Sequence, residues 1–322
     1  MKNIGGFFEL EIAEGSSLYH DDAIKLSTGR ACLNLILDIK KYSKVYVPYY
    51  CCDALFEPMK LKGITYEFYG INKQLEIIDE INLKPNEAII YCNFFGIKKQ
   101  YVDKLIEMYG AQLIIDDTHS FFTQGYSTSA SFTTARKYFG VPDGAFLYFP
   151  QSSFFFKSKR NTDVSINHNL NRLIGLHKIA YQQYTNYEES LDSSINEISI
   201  VSEKILKTVD YESVIKKRNE NFEFYKKELK SYNQLNIDDS ASNCFCYPLL
   251  LNSPIEKKIF YKENIFIPSY WLDINKRKYE EKYMFESKLS SELLPLPIDH
   301  RYGEEDLRRV ISFIKAHKRN TN

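Results

Sequence analysis

The first half of the chain alternates between short apolar runs and stretches in which apolar residues recur every three or four positions. The nearly continuous apolar runs predict buried strands at residues 44–50, 64–70, 87–92, 111–117 and 144–149. The periodic stretches predict helices at residues 31–42, 53–63 and 99–110. Buried strands that alternate with helices indicate a mainly parallel sheet covered on both faces. The predicted fold class is therefore α/β.

The second half is mainly helical before it becomes mixed. Residues 167–206 predict long helices that could bridge two domains, and residues 214–229 predict a further amphipathic helix. Two short strands and a final helix are predicted at residues 244–251, 264–272 and 304–318. We therefore expect a large domain over residues 1–205 and a smaller α+β domain over residues 206–322.

The composition is that of an ordinary globular protein. Of 322 residues, 44% are hydrophobic and 26% are charged. Lys plus Arg and Asp plus Glu number 42 each, so no net field favours nucleic acid or an anionic membrane. We find no membrane-spanning run and no signal peptide. The six cysteines lie in apolar runs without zinc-site spacing, which predicts reduced thiols, no metal site and a cytoplasmic protein.

Two acids and a histidine follow the apolar run that ends at Ile115. A carboxylate at a buried strand end, such as that of Asp116, can hold an opposite positive charge, and the protonated ring nitrogen of pyridoxal 5′-phosphate (PLP) is such a charge. His119 could contact the phenolate oxygen of the cofactor or cover its ring. Alternatively, Asp116 and Asp117 cap a strand and begin a turn, and His119 is a packed histidine.

A second candidate is Lys137, between a Ser/Thr-rich stretch and an Asp-Gly pair that precedes an apolar strand. A lysine that forms a Schiff base is favoured by partial desolvation and by a neighbouring cation, here Arg136. The hydroxyl groups of Ser131, Thr133 and Thr134 could bind a phosphate. Alternatively, Lys137 is a solvated surface charge.

A third candidate is the helix start at Thr28, Gly29 and Arg30. Small residues at a helix N-terminus expose backbone N–H groups to an anion, although Thr28 could also be an ordinary N-cap. Together the three segments offer the attachments that PLP requires, for its phosphate, its ring nitrogen and its aldehyde.

In the order of these segments the chain resembles the DegT-type sugar aminotransferases, a branch of the fold-type I PLP enzymes. The family's Ser-Gly-Thr-Ala helix start corresponds to residues 27–31, with Gly29 and Arg30 at the phosphate-binding pair. Its Glu-Asp-x-x-His/Gln segment is similar to residues 116–119, and its Schiff-base lysine corresponds to Lys137. The x-x-His spacing favours Asp116 over its neighbour as the partner of the ring nitrogen. The resemblance extends over nearly the whole chain, to the closing Leu-Pro segment and the final helix.

The resemblance implies an aspartate-aminotransferase-like large domain and a homodimer with a shared active site. It also implies a PLP-dependent aminotransferase that uses an amino donor, L-glutamate, and a nucleotide-linked keto-sugar. Lys137 would hold the cofactor and then move the proton between the α-carbon and C4′, and Asp116 would keep the ring nitrogen protonated. The product would be an amino sugar for surface polysaccharide or a glycosylated metabolite.

The chain departs from the family pattern at two places. The lysine segment lacks the Ser-Phe-His-x-x-Lys-Asn form, so any of its three hydroxyl groups could bind the phosphate. Cys52 lies four residues after Pro48, where a ring-stacking aromatic residue is frequent. Stacking would then come from Tyr50, Phe94 or Phe95.

Other functions stay open. The first alternative is a PLP enzyme with a non-sugar substrate, such as a lyase, a decarboxylase or another transaminase, and the second is a non-catalytic descendant of the fold. Family members that act as dehydratases carry histidine in place of the lysine, and Lys137 argues against that variant. A donor carboxylate would need an arginine, for which Arg30, Arg218 and Arg301 are unranked candidates. No G-x-G-x-x-G follows the first strand, which disfavours Rossmann-type nucleotide binding.

Overall fold

The structure is a computed structural model that describes residues 4–150, 156, 158–278 and 280–319. Its helices are α1 Gly29–Lys40, α2 Phe56–Leu61, α3 Lys99–Tyr109, α4 Asn167–Leu173, α5 His177–Ser190, α6 Ile200–Lys207, α7 Tyr211–Leu229, α8 Lys257–Lys262, α9 Met284–Glu292 and α10 Glu304–Arg319. Its strands are β1 Ile24–Leu26, β2 Lys44–Pro48, β3 Thr65–Tyr69, β4 Glu87–Cys92, β5 Leu113–Asp116, β6 Ala130–Thr134, β7 Ala145–Tyr148, β8 Lys159–Arg160, β9 Asn196–Glu197, β10 Cys246–Leu249 and β11 Leu294–Pro297.

Nine of these strands form one sheet in the order β3-β2-β4-β5-β6-β7-β1-β9-β8. The pairs from β3 through β6 are parallel, whereas β7 is antiparallel to both of its neighbours. A parallel sheet brings the carboxyl ends of its strands to one edge, where ligands commonly bind. The predicted α/β class with a mainly parallel sheet is therefore confirmed.

A smaller antiparallel sheet pairs β10 with β11. Leu249 and Leu296 of this small sheet are buried. They belong to the same apolar core as Leu33 of α1 and Ile115 of β5 in the large sheet. The predicted domain boundary at residue 205 falls inside α6 and stays a prediction.

Helix α1 illustrates how local sequence produces these elements. Thr28 has extended backbone and its hydroxyl oxygen accepts a hydrogen bond from the N–H of Ala31 at 3.0 Å, as an N-cap does. The apolar residues of α1 face the sheet, and Leu33 and Ile36 are fully buried. Lys41 ends the helix with a left-handed backbone (φ 54°).

Two secondary-structure expectations are corrected. The region 167–206 is not a pair of long helices, because Gly175 adopts φ +84° and separates α4 from α5. Ser199 then caps α6, so this helix begins only at Ile200. Residues 264–272 contain no strand in the described structure, and Trp271 there has a left-handed backbone with φ 55°.

Two strands that flank the candidate site were not predicted. Strand β6 consists of alanine, serine, phenylalanine and threonine, so its apolar signal is weak although all five residues are buried. Strand β1 has only three residues. The longest described helix, α7 with 19 residues, is too polar to cross a bilayer, and the other described helices are also unsuited to spanning one.

Candidate functional site

Most of the predicted site residues line one cavity of about 160 Å³ at the carboxyl ends of β5 and β6. Its predicted members are Gly29, Arg30, Asp116, Thr134 and Lys137. Further lining residues are Thr28, Cys52, Ala54, Leu55, Cys92, Thr118, Phe132, Arg136, Glu188, Leu191 and Trp271. The cavity thus joins a carboxylate, a primary amine, a helix N-terminus and apolar walls.

The register of the parallel strands positions Asp116. Cys92, Asp116 and Phe132 are neighbours across β4, β5 and β6. Oδ1 of Asp116 accepts a hydrogen bond from the N–H of Thr118 at 2.9 Å, and Oδ2 accepts one from the Cys92 thiol at 3.7 Å. Burial, and then the charge of Asp116, raise the pKa of the Cys92 thiol well above its usual value, so the thiol keeps its proton. These two hydrogen bonds hold the side chain of Asp116 at the cavity wall.

The start of α1 forms the anion-binding end of the cavity. An α-helix leaves its first N–H groups without intrahelical partners. Thr28 satisfies that of Ala31, which leaves those of Gly29 and Arg30 for a ligand anion. The guanidinium group of Arg30 itself points elsewhere, to the carbonyl oxygen of Leu191 and to Glu57 at 3.5 Å. Only the main chain of Arg30 thus retains the predicted role.

The loop between β6 and β7 carries Lys137 and is tied to the start of α1. The carbonyl oxygen of Gly144 accepts hydrogen bonds from the N–H of Ala135 at 2.9 Å and from Oγ1 of Thr134 at 3.0 Å. The N–H of Gly144 donates to the carbonyl oxygen of Ser27 at 2.8 Å. Lys137 extends from this loop, and its Nζ donates to Oγ1 of Thr118 at 3.1 Å.

The three candidate hydroxyl groups of β6 do not share a face. Side chains alternate along a strand, so Phe132 and Thr134 line the cavity whereas Ser131 and Thr133 are buried on the other face. Oγ1 of Thr133 donates to the carbonyl oxygen of Asp117 at 2.8 Å. Thr134 is therefore the one of the three that could reach a ligand here.

Asp117 is buried away from the cavity, and its Oδ1 accepts a hydrogen bond from Nδ2 of Asn93 at 2.8 Å. Burial raises its pKa to about 7. Of the two acids, Asp116 is the one at the cavity wall.

His119 is buried and does not line the cavity. Its Nδ1 accepts a hydrogen bond from the N–H of Phe95 at 3.3 Å. Its ring lies within 16° of parallel to that of Phe245 at 4.5 Å, and within 9° of that of Trp271 at 5.3 Å. Burial lowers the pKa of His119 well below its usual value, so the ring is neutral. In this position it supports Trp271 instead of contacting a ligand in the cavity.

Trp271 is the wall residue that the sequence pattern did not reveal. It is the only tryptophan and has φ 55°, which is unusual for a bulky residue and typical of functional sites. Tyr50, at 4.5 Å and 82°, and Phe94, at 5.8 Å, pack against its ring from the core. The proposed stacking residues thus lie around Trp271, while Cys52 lines the cavity itself.

The residues that line this cavity fit PLP. The α1 amides, the Thr134 hydroxyl and Arg136 suit a phosphate, Asp116 suits a protonated ring nitrogen, and Lys137 suits an aldehyde. Arg136 already forms a salt bridge with Glu188, so a phosphate there would compete with that glutamate.

No protein-family model matches the sequence, and no curated protein sequence is significantly similar to it. Solved structures do match. A DegT DnrJ EryC1 StrS aminotransferase from Brucella abortus is similar at 15% identity and a TM-score of 0.62, over 92% of this chain and 85% of its own. Spr1654 of Streptococcus pneumoniae, assigned as a sugar aminotransferase and solved in its PLP form, is similar at 11% identity and a TM-score of 0.63, over 94% and 92%. DesI, solved with its TDP-sugar product, is similar at 13% identity and a TM-score of 0.62, over 93% and 83%. These likenesses establish the fold.

Proposed function

We propose that this chain, which has the fold of the DegT-type sugar aminotransferases, is a PLP-dependent aminotransferase. The observation that carries the proposal is the single cavity lined by Lys137, Asp116 and the start of α1. These three features match the aldehyde, the ring nitrogen and the phosphate of PLP. When bound, PLP supplies an electron sink that stabilises negative charge at the substrate carbon.

The residues of the cavity would then divide the tasks of cofactor binding and proton transfer. Asp116 would keep a proton on the ring nitrogen, because its carboxylate lines the cavity and accepts, from the described part of the chain, one backbone and one thiol hydrogen bond. The Gly29 and Arg30 amides would hold the phosphate, and the Thr134 hydroxyl would join them by turning from the carbonyl oxygen of Gly144. Lys137 would anchor the cofactor, and its freed Nζ would take the proton from the α-carbon of the amino donor and deliver it to C4′, with the reverse transfer in the second half of the reaction.

We further propose L-glutamate as the amino donor and a nucleotide-linked keto-sugar as the acceptor, with the product used in surface polysaccharide or glycoconjugate biosynthesis. The support is the likeness to DesI, solved with a TDP-sugar product, and to Spr1654, solved in both PLP and PMP forms. A second cavity of about 330 Å³ that also reaches Lys137 offers room for a substrate.

A homodimer with a shared active site is part of the same proposal. Helices α4 and α5 and the turn between them expose apolar side chains next to the lysine loop, with Leu173 82%, Ile174 68% and Tyr181 73% exposed. Exposed apolar patches of this kind are typical of interaction surfaces. Light scattering should give twice the mass of the chain, and a substitution of Leu173 by Glu should shift the protein to monomer.

The test of the activity starts with the purified protein and added PLP. A yellow absorption band should form, and borohydride should attach the cofactor permanently to the peptide that contains Lys137. Lys137→Ala should give no such adduct. Glutamate should then bleach the band of the untreated wild type. A protein that stays colourless with PLP would contradict the proposal and favour a non-catalytic descendant of the fold.

A further inference from the structure

We infer that the N-terminal arm of each protomer, residues 4–14, docks on the exposed surface of α4 and α5 of a second copy of this chain, so that two protomers exchange arms. The inference rests on the proposed homodimer and goes beyond it, because it states which segment of the partner covers this surface. Its basis is that the arm and the surface are both apolar, both exposed and opposite in charge.

The arm is an apolar segment that its own protomer does not bury. Four of its side chains are strongly exposed, namely Ile4 99%, Phe7 100%, Phe8 94% and Leu10 60%. A cluster of large apolar side chains that stay in contact with water is typical of a segment that binds another surface.

The sequence of the arm has the pattern of an extended segment with one buried side. Apolar residues alternate with glutamates from Phe8 to Ile12. In an extended chain this alternation places Phe8, Leu10 and Ile12 on one side and Glu9 and Glu11 on the other. One side of the arm is therefore suited to an apolar surface and the other to solvent or to cations at the edge of that surface.

The base of the arm is fixed to the body of its protomer. A Cβ added to Gly15 would lie 1.9 Å from the carbonyl oxygen of Lys207, so the chain packs directly on the last residue of α6. Leu18 is then buried in the core. Residues 4–14 can extend at most about 36 Å from this base, which is about the diameter of a small domain and sufficient to reach a neighbouring protomer.

The receptor is the α4–α5 surface, formed by the two helices and the turn between them. Its exposed apolar side chains are Leu170 43%, Leu173 82%, Ile174 68%, Leu176 45%, Ile179 51% and Tyr181 73%. Arg172 and Lys178 are exposed cations of the same segment. Residues 167–187 contain no Asp or Glu, so the surface is apolar and positively charged.

The arm has the opposite charge. Glu9, Glu11 and Glu14 are all exposed, and no lysine or arginine occurs from residue 3 to residue 24. Within the described residues, none of these glutamates forms a salt bridge. Complementary charges of this kind select a partner and its orientation. Because the arm and its receptor belong to the same chain, a two-fold dimer covers both arms and both surfaces at once.

The docked arm would lie next to the proposed active site. Arg172 and Tyr181 of the α4–α5 surface also line a cavity of about 620 Å³ that reaches Lys137. Arm exchange would therefore bring residues of the partner to the edge of this cavity.

The test measures the Kd of the dimer by light scattering over a dilution series. An arm variant, Glu9→Lys with Glu11→Lys, and a surface variant, Arg172→Glu with Lys178→Glu, should each raise this Kd at least about tenfold, because like charges then meet at both contacts. An equimolar mixture of the two variants should form a heterodimer with nearly the wild-type affinity. In that heterodimer each arm meets a surface of opposite charge, whereas an arm that docks on its own protomer would gain nothing from mixing.

Phe8→Glu tests the apolar part of the contact and should also raise the Kd of the dimer at least about tenfold. The matched control is Met108→Glu, which changes an apolar residue of α3 that is 68% exposed. It should stay within about twofold of the wild type. Circular dichroism checks that each variant is folded.

Two results would overturn the inference: an unchanged dimer Kd in Phe8→Glu, or no gain in affinity when the arm and surface variants are mixed. If a charge variant does not fold, the wild type replaces it, because a salt increase from about 0.05 to about 0.5 M should weaken an arm contact of opposite charges at least about threefold. A dimer that is insensitive to salt would then contradict the inference.

A parallel PLP titration separates this inference from the proposed function. A wild-type dimer that binds PLP but does not respond to the arm substitutions contradicts only the arm exchange. A dimer that depends on the arm but does not bind PLP contradicts only the cofactor proposal. A monomeric wild type contradicts the homodimer and the arm exchange, and PLP binding by that monomer would still support the cofactor site.

Discussion

Nζ of Lys137 donates a hydrogen bond to Oγ1 of Thr118 at 3.1 Å, across 19 positions of the chain. The N–H of Thr118 in turn donates to Asp116 at 2.9 Å. The proposed anchor of the aldehyde and the proposed partner of the ring nitrogen are thus joined through one threonine. The arrangement follows from the parallel pairing of β5 with β6, which brings the ends of both strands together.

Replacement of Thr118 by Val should weaken PLP binding about fivefold, because a hydrogen bond that orients Lys137 contributes about 1 kcal/mol. Equilibrium dialysis measures the affinity. Thr118→Ser keeps the hydroxyl group and should behave like the wild type. Equal affinities in the Val and Ser variants would show that the hydroxyl does not orient the amine.

Thr134→Val should weaken PLP binding about fivefold, because the hydroxyl group donates to the carbonyl oxygen of Gly144 and would have to exchange that hydrogen bond for one to the phosphate. Ser131→Ala, a change on the opposite face of β6, should leave the affinity unchanged. The same dialysis experiment compares the two variants. A larger effect of Ser131→Ala would mean that the phosphate binds elsewhere.

Trp271 should report on the cofactor by its fluorescence, because it is the only tryptophan and lines the cavity. Bound PLP should quench this emission in a saturable manner. Trp271→Ala should weaken PLP binding by about three- to tenfold, the typical value of an aromatic contact, whereas Trp271→Phe should retain most of the affinity. If saturating PLP does not quench the emission, Trp271 does not lie at the cofactor site.

Gly96→Ala should destabilise the protein by about 3 kcal/mol or more. Gly96 has φ +74°, and an added Cβ would lie 2.5 Å from the carbonyl oxygen of His119. Gly63 also has a positive φ, +65°, but its Cβ would meet no atom within 4 Å. Gly63→Ala should therefore cost only the backbone strain, about 1–2 kcal/mol. Urea unfolding of both variants measures the difference, and similar costs would refute the close approach.

The free energy of unfolding should fall as the pH rises from about 4 to about 7, in part because of Asp117. Burial raises its pKa from 3.8 to about 7, so in this range the folded state holds a proton that the unfolded state has lost. The slope from one such group is at most about 1.4 kcal/mol per pH unit. Asp117→Asn keeps the acceptor for Asn93 and should flatten this dependence, as measured by urea unfolding between pH 4 and pH 8. If the slope of the free energy of unfolding against pH is unchanged in this variant, groups other than Asp117 cause the pH dependence.

Patterns of apolar and polar residues within single segments were sufficient to predict much of the fold. The apolar runs of β2, β4 and β5 and the amphipathic repeat of α1 are local features, because periodicity along the chain directly reflects which face is buried. The positions of Asp116 and Lys137 in loops beside buried strands could also be predicted. The separation of α4 from α5 at Gly175 could have been predicted from the sequence, since glycine is the residue that most readily adopts a positive φ.

The sequence by itself determined the order of β2, β3, β4, β5 and β7 and of helices α1 to α3. It also determined the chemistry of the lysine, the acid and the helix start, and their order along the chain. Only the tertiary structure decided that Thr134 and not Ser131 or Thr133 faces the cavity. It also decided that Trp271 forms the cavity wall and that His119 packs against it instead of lining the cavity. Each of these depends on contacts between segments that lie far apart in the chain. Such contacts arise from packing of the whole core, which local periodicity does not encode.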